Sequence, residues 1–432
     1  MNQLHQYWDN LRSSLWFIPT IIVTAGITFA LVLIEIDSSA NGWQLAERWP
    51  RLFGASAEGS RGLLSAIASS MITVAGTIFS ITVVALTLAS SQYTSRILRN
   101  FMRDRANQSV LGVFVGVFAY CLILLRTIRS GGENEFVPAL AVLVAVLLAF
   151  VAIGFLIFFI HHIAASLQAT TIIESVATET LCTIDQLFPV HSYEVKDNNV
   201  VASQEMTLKP TIWVTIPALK MGYIQAINFD TLFDIAKKRN IVIRMEKEIG
   251  AFIIEDCALA SISGVSVTDE IIRQINATCA VDRHRSVDQD ASYGIRQIVD
   301  VALKALSPGI NDTTTAINCI DYLGSILVKL VSRRIESPCY HQDDQLRVIS
   351  CEPTFSSFVA ISIDQIRQNA DGNVAVLTRL LQILMILITR TSDENRLSVL
   401  NQHINLINET VNRSVPSAHD RLAIQMAQSR HT

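Results

Sequence analysis

The chain has 432 residues, half of them apolar and only 17% charged, with a net charge of −4 and a mean hydropathy of +0.38. So small a net charge excludes a bulk nucleic-acid role. The apolar excess excludes an ordinary soluble protein, because it is concentrated before His161 in long stretches without charge.

The seven cysteines, Cys121, Cys182, Cys257, Cys279, Cys319, Cys339 and Cys351, show no CxxC spacing and no His/Cys cluster. They read as reduced thiols, not as a disulfide frame or a metal site. The first apolar run begins at Leu15, is too long for the core of a cleaved signal, and lacks a small-residue cleavage site.

A bilayer core of ~30 Å takes about 20 apolar residues in a helix. Four runs satisfy that length: 15–34, 63–89, 110–128 and 136–160. Pro19 falls in the first turns of the first run, where a missing N–H is tolerated, and Trp16 and Phe17 suit the headgroup level. Between the second and third runs, Arg96, Arg99, Arg103 and Arg105 face only Asp104. That arginine-dense loop favours the cytoplasmic side and puts both termini inside. Trp43, Leu45, Trp49, Leu52 and Phe53 make the loop after the first run an interfacial segment.

The helical pattern continues past Ile160 through Ala164, Leu167, Ile172, Val176 and Leu181 to Pro189, which predicts a helical stalk and linker over 166–205. Short β-branched runs at 211–216, 222–227, 241–245 and 251–254 then read as strands of a small β-rich module over 206–266, with a helix over 230–239. From Thr268 the pattern is helical, over 269–280, 293–306, 313–331, 355–369, 374–388 and 394–411. The helical domain is expected to span 267–425, with a disordered tail over 426–432. The predicted fold class is thus a mainly α membrane protein: four transmembrane helices, then a soluble α+β domain made of a β-barrel-like module and a helical bundle.

The second span carries the most pattern. At 100° per residue, Ser65, Ser69, Thr73, Gly76, Ser80, Thr87 and Ser91 fall within an arc of about 80°. Ala68, Ala75, Thr82 and Ala89 form a separate heptad of small side chains, suited to close helix approach. The hydroxyl arc has two readings: interhelical hydrogen bonding with back-bonding to the helix's own carbonyls, or the lining of a polar path between copies of the chain. Arg96, Arg99 and Arg103 extend that helix as a membrane-surface anchor or as a basic ring at a pore mouth. His161 and His162 point in different directions from adjacent positions, which suits an interfacial pair better than a shared ligand set.

In the soluble part, the run from Asp282 to Asp321 stands out. Arg296, Asp300 and Lys304 can form a charged ladder, Ser307-Pro308-Gly309 stops a helix, and Asn311 or Asp312 can cap the next. With Asp288 and Asp290 these residues are candidates for a ligand site at a helix start. No nucleophile–base pair and no metal-ligand spacing is evident, so neither catalysis nor a cofactor is expected.

Five runs resemble a bacterial family of predicted membrane proteins, domain of unknown function 2254: SSLWFIP (Ser13–Pro19), the segment Leu63–Asp104, FIHHIA (Phe159–Ala164), GYIQAINFDTL (Gly222–Leu232) and the segment Tyr293–Asp321. Thr313 stands where the family pattern has a proline, and Val287–Ala291 replaces its Phe-Glu-Gln-Asp-Pro, which leaves the acids and the cap in place. The resemblance implies an inner-membrane location and no known activity. The piece 211–266 is also similar to small lipoyl-type barrel-sandwich domains through GYIQAIN and GAFI.

Two function classes follow. One is a homo-oligomeric channel or channel-like transporter in a lipid bilayer, with inorganic ions as candidate permeants. The other is a membrane-anchored sensor or scaffold whose soluble domain binds a ligand or partner.

Overall fold

The computed structural model describes residues 16–38, 56–92, 104–129, 136–166, 168–188, 213–263, 267–287, 289–333, 335, 339–342 and 345–429. It divides into two compact units, Met1–Thr171 and Ile172–Thr432.

The first unit is a bundle of α1 (Phe17–Ser38), α2 (Ala57–Gln92), α3 (Arg105–Thr127) and α4 (Ala139–Ser166). All four are long and apolar enough to cross a membrane. Their outer surfaces are apolar too: Phe150 and Ile157 are each 67% exposed, and Leu31, Phe79, Val84 and Leu147 are also exposed. Side chains of that kind on the outside belong in hydrocarbon, not water. α1, α2 and α4 run past the ends anticipated from hydropathy, and α3 starts earlier than anticipated, because polar ends add turns that an apolar window does not register. The 36 residues of α2 reach about 54 Å, well beyond a ~30 Å core.

α3 is the helix on which the other three pack. Its contact with α1 is a close crossing built on glycine. A Cβ on Gly112 would meet Ile22 Cδ1 at 2.7 Å and Pro19 Cα at 3.0 Å, and one on Gly26 would meet the Gly116 carbonyl oxygen at 3.1 Å. Without a hydrophobic force between helices in lipid, such backbone approach supplies the dispersion contact that holds the pair. α2 lays Leu64, Ala68, Met71, Ala75, Ile78 and Ala85 into the core of the bundle.

The second unit combines helices and strands. α5 (Ala169–Leu187) is followed by β1 (Trp213–Pro217), β2 (Gly222–Ile227), α6 (Phe229–Arg239), β3 (Ile243–Met245), β4 (Phe252–Ile253), β5 (Ala258–Ser263), α7 (Asp269–Thr278) and β6 (Cys279–Asp282). Then come α8 (Ala291–Ala305), α9 (Thr313–Val331), β7 (Cys339–Gln342), β8 (Gln345–Ile349), α10 (Phe355–Asn369), α11 (Val374–Ile388), α12 (Glu394–Ser414) and α13 (Ala418–Ser429).

The strands do not close into the barrel-like module expected from sequence. They form two open sheets, ordered β1-β5-β3-β8-β7 and β4-β2-β6. Nor is the module self-contained. β3 pairs in parallel with β8, about a hundred positions downstream, and β2 pairs with β6, whose first two residues are expected from sequence to end a helix. α6 and α7 contribute Leu232, Ile235, Ile271 and Ile275 to the core beneath these sheets.

Two further expectations are corrected. No single helical stalk runs on from α4: that helix ends at Ser166 and a separate one begins at Ala169. α5 is no bare stalk either, since Ile172, Ile173, Val176, Ala177, Thr180 and Ile184 are buried, and a Cβ on Gly294 of α8 would strike Thr180 Oγ1 at 2.0 Å. The C-terminal segment is likewise ordered, as helix α13 running to Ser429 with Ile424 buried. The linker 196–205 and the loop bearing Trp43, Leu45, Trp49, Leu52 and Phe53 lie outside the described residues.

A fifth helix, α9, also meets the length and hydropathy of a membrane span. Its apolar face packs on α8 and α11. At the margins of that packing Asp321 pairs with Arg379 of α11, and Lys329 with Asp185 of α5.

The α1–α3 crossing is open to test. Gly112→Leu should destabilise the detergent-solubilised protein by about 1–3 kcal/mol through overpacking. Gly154→Leu, where a Cβ meets nothing within 4 Å, should leave thermal unfolding unchanged. Equal melting of the two variants would refute the crossing.

Candidate functional site

The hydroxyl arc of α2 lies on the side away from the bundle core. Ser65, Ser69, Thr73, Gly76, Ser80 and Thr87 are all exposed, while Ala68, Ala75 and Ala85 are buried. The side chain of Ser91 lies outside the described residues, as do Arg96, Arg99 and Arg103. Thr73 Oγ1 donates to the Ser69 carbonyl at 2.7 Å, Thr77 to Thr73 at 3.1 Å and Thr87 to Val83 at 2.9 Å. This back-bonding satisfies hydroxyl donors at membrane depth and leaves oxygen lone pairs facing outward. Gly76 contrasts with Gly112, since a Cβ there would meet nothing of its own chain within 4 Å. A mid-helix glycine costs about 1 kcal/mol relative to alanine, and no neighbour among the described residues calls for it.

At one end of the bundle, Asp104 caps α3 by accepting from the Ala106 amide at 2.9 Å. His162 Nε2 lies 2.5 Å from the other Asp104 oxygen and its ring stacks on Phe158. His161 is exposed. The two histidines therefore have different jobs, and His162 ties the end of α4 to the start of α3. At the opposite end, buried Asp37 accepts from the Ala141 amide at 3.0 Å, and Tyr120 donates to the Ala141 carbonyl at 2.8 Å. Sequence reading missed both ties, because each joins residues far apart in the chain; an acid at the edge of an apolar run was the only signal.

In the second unit the five described candidate residues do not converge. Asp288 lies outside the described residues. Asp290 caps the start of α8, whereas Asn311 and Asp312 follow its far end. The 15 residues between separate them by about 22 Å. Asp312 is exposed and caps α9: it accepts from the Thr315 hydroxyl at 2.6 Å and amide at 3.0 Å, which holds its carboxyl below the ordinary range. The amides that could have bound an anion there are thus engaged by the chain itself. Asn311 sits in the left-handed region at φ 49°. Arg296 donates to Gln365 of α10, and Asp300 is half-buried on α8.

Asp290 is the candidate with a built environment. It is 5% exposed. Its Oδ1 accepts from the Tyr293 amide at 3.0 Å, and its Oδ2 receives Arg285 Nε at 2.9 Å and Nη2 at 2.6 Å. Arg285 also lies 5.1 Å over the Tyr293 ring. Gly250, at φ +88°, presses on this carboxylate so closely that a Cβ would meet Oδ2 at 2.1 Å. Burial raises the Asp290 pKa, and Arg285 opposes the rise. Burial and the neighbouring Asp290 charge also raise Glu248. Asp290 borders a cavity of about 230 Å³ whose other walls include Phe188, Phe229, Gln289, Cys351 and Glu352. Among the described residues, no cluster of three or more His, Cys, Asp or Glu side chains could hold a metal ion.

Arg285→Gln should therefore destabilise the protein at neutral pH by about 3 kcal/mol, the cost of stranding a buried charge. Because the folded pKa of Asp290 lies above its ordinary value, its contribution is full at low pH and is lost as pH rises through the folded value. Losing Arg285 raises that value further, so the deficit should be largest near neutrality and shrink on acidification. Thermal unfolding that shows the same deficit at pH 7 and at pH 4 (about the ordinary Asp pKa) would contradict this assignment.

Comparison with known proteins agrees with the bundle. Residues 12–385 match the family model described as predicted membrane protein, DUF2254. Uncharacterized proteins of Mycobacterium bovis and Mycobacterium tuberculosis are 30% identical over 451 aligned positions, covering 100% of this chain and 82% of theirs. No solved structure matches. With its apolar-surfaced helices and a match over most of its length, the chain belongs to the DUF2254 family of predicted membrane proteins.

Proposed function

We propose that this protein is a homo-oligomeric ion channel or channel-like transporter of the bacterial inner membrane, with α2 lining the path. In this reading α1–α4 cross the bilayer and both termini are cytoplasmic. α9 belongs to the core of a cytoplasmic regulatory unit, and the protein is not an enzyme. The supporting observation is the outward hydroxyl arc of α2. Its own bundle uses the opposite face, so the arc and the unpacked Gly76 are available to line an axis between copies. Hydroxyls on such an axis would replace part of the hydration of an inorganic ion. The arginine-dense loop after α2 supports the orientation. The partly exposed ion pairs that α9 makes with α11 and α5 support placing it in water.

A second reading is a membrane-anchored sensor or scaffold, favoured by the cavity beside Asp290. Purified protein in planar bilayers separates the two. A channel gives unitary currents, and Ser69→Leu or Ser80→Leu should lower them about tenfold or more by creating a dewetted constriction. Absence of current from the wild type, or variants altered only in stability, would remove the channel reading.

A further inference from the structure

We propose that a cleft between the ends of α1 and α3 binds the phosphate of an anionic phospholipid. The cleft has a volume of about 480 Å³ and is lined by Leu31 and Ser38 of α1, by Ile123, Arg126 and Thr127 of α3, and by Arg129 and Phe136. Arg126 is in the last turn of α3. Arg129 lies just beyond, on backbone held by an antiparallel bridge to Phe136. Both are exposed, and among the described residues neither has an acidic partner. The nearby acids of α1 do not neutralise them: Asp37 is engaged at the Ala141 amide, and Glu35 forms no ion pair with either arginine. Glu133 and Glu135 lie outside the described residues.

Two guanidinium groups present planar donor forks that match phosphate oxygens. The exposed carbonyls at the end of α3 would repel an anion, so the arginines must carry the attraction. The Thr127 hydroxyl donates to the Ile123 carbonyl of α3 at 2.9 Å, and the Ser38 hydroxyl to the Glu35 carbonyl of α1 at 2.8 Å. Their oxygens remain able to accept from a glycerol hydroxyl. The rest of the lining decides between a free phosphate and a lipid. Leu31 is 55% exposed, and it continues the cleft with Ile123 and Phe136 onto the apolar outer surface of the bundle, where an acyl chain would lie. A soluble phosphate gains nothing from that wall.

Native mass spectrometry of the full-length protein, titrated with phosphatidylglycerol, phosphatidylcholine or inorganic phosphate, tests the site. Wild type should retain phosphatidylglycerol in preference to phosphatidylcholine, and inorganic phosphate weakly or not at all. The double variant Arg126→Gln, Arg129→Gln should lose about tenfold or more of that preference, as expected for two basic residues near a membrane surface. Arg105→Gln, at the opposite end of α3, should keep it. Equal retention of both lipids by wild type overturns the proposal, and that arm needs no variant to fold. Equal loss in Arg105→Gln reduces the effect to general charge and overturns it too, as does inorganic phosphate binding as well as the lipid.

Discussion

The first unit depends on the close packing of α3 with α1. Gly26 and Gly112 let two backbones meet where a larger side chain would press them apart. Once α3 is held there, its remaining faces accept α2 and α4. α2 presents to it the face bearing Leu64, Ala68, Met71, Ala75, Ile78 and Ala85. The hydroxyl arc, about half a turn away, is left outside. Its outward position is a consequence of packing elsewhere, and the functional proposal rests on that consequence.

The ends of the bundle are managed by polar ties, buried at Asp37 and half-buried at Asp104. Asp104 and Asp37 each place a carboxylate on the amide end of a helix, where the dipole and the orphan N–H groups favour negative charge. His162 and Tyr120 complete the two networks. Both ties join different spans, so they set the register of one helix against another in a medium that offers no water to satisfy a misplaced group.

The second unit is organised around α8 and α9. Asp290 holds the start of α8 against Arg285 and Gly250, and Asp312 holds the start of α9. α5 is drawn into the same core through Thr180, whose hydroxyl occupies the space left by Gly294. Thr183 adds a hydrogen bond to the Val287 carbonyl at 3.1 Å. That explains why a segment whose periodicity continues the fourth span is instead a separate helix. Its apolar face is matched to protein, whereas that of α4 is matched to lipid.

Local pattern by itself determined a good deal. The four spans, the bounds of α9, α10 and α11, a cap at Asn311 or Asp312 and the two separate faces of α2 all follow from hydropathy, periodicity and capping, each of which acts within a few turns of chain. What only the tertiary structure decided involves partners far apart in sequence. These are the open sheets that replace the barrel, because β3 borrows β8; the pairing of Asp290 with Arg285 beside a cavity, apart from Asn311 and Asp312; and the direction in which the hydroxyl arc points. Periodicity names the faces of a helix, but the neighbour it packs against decides which face is buried.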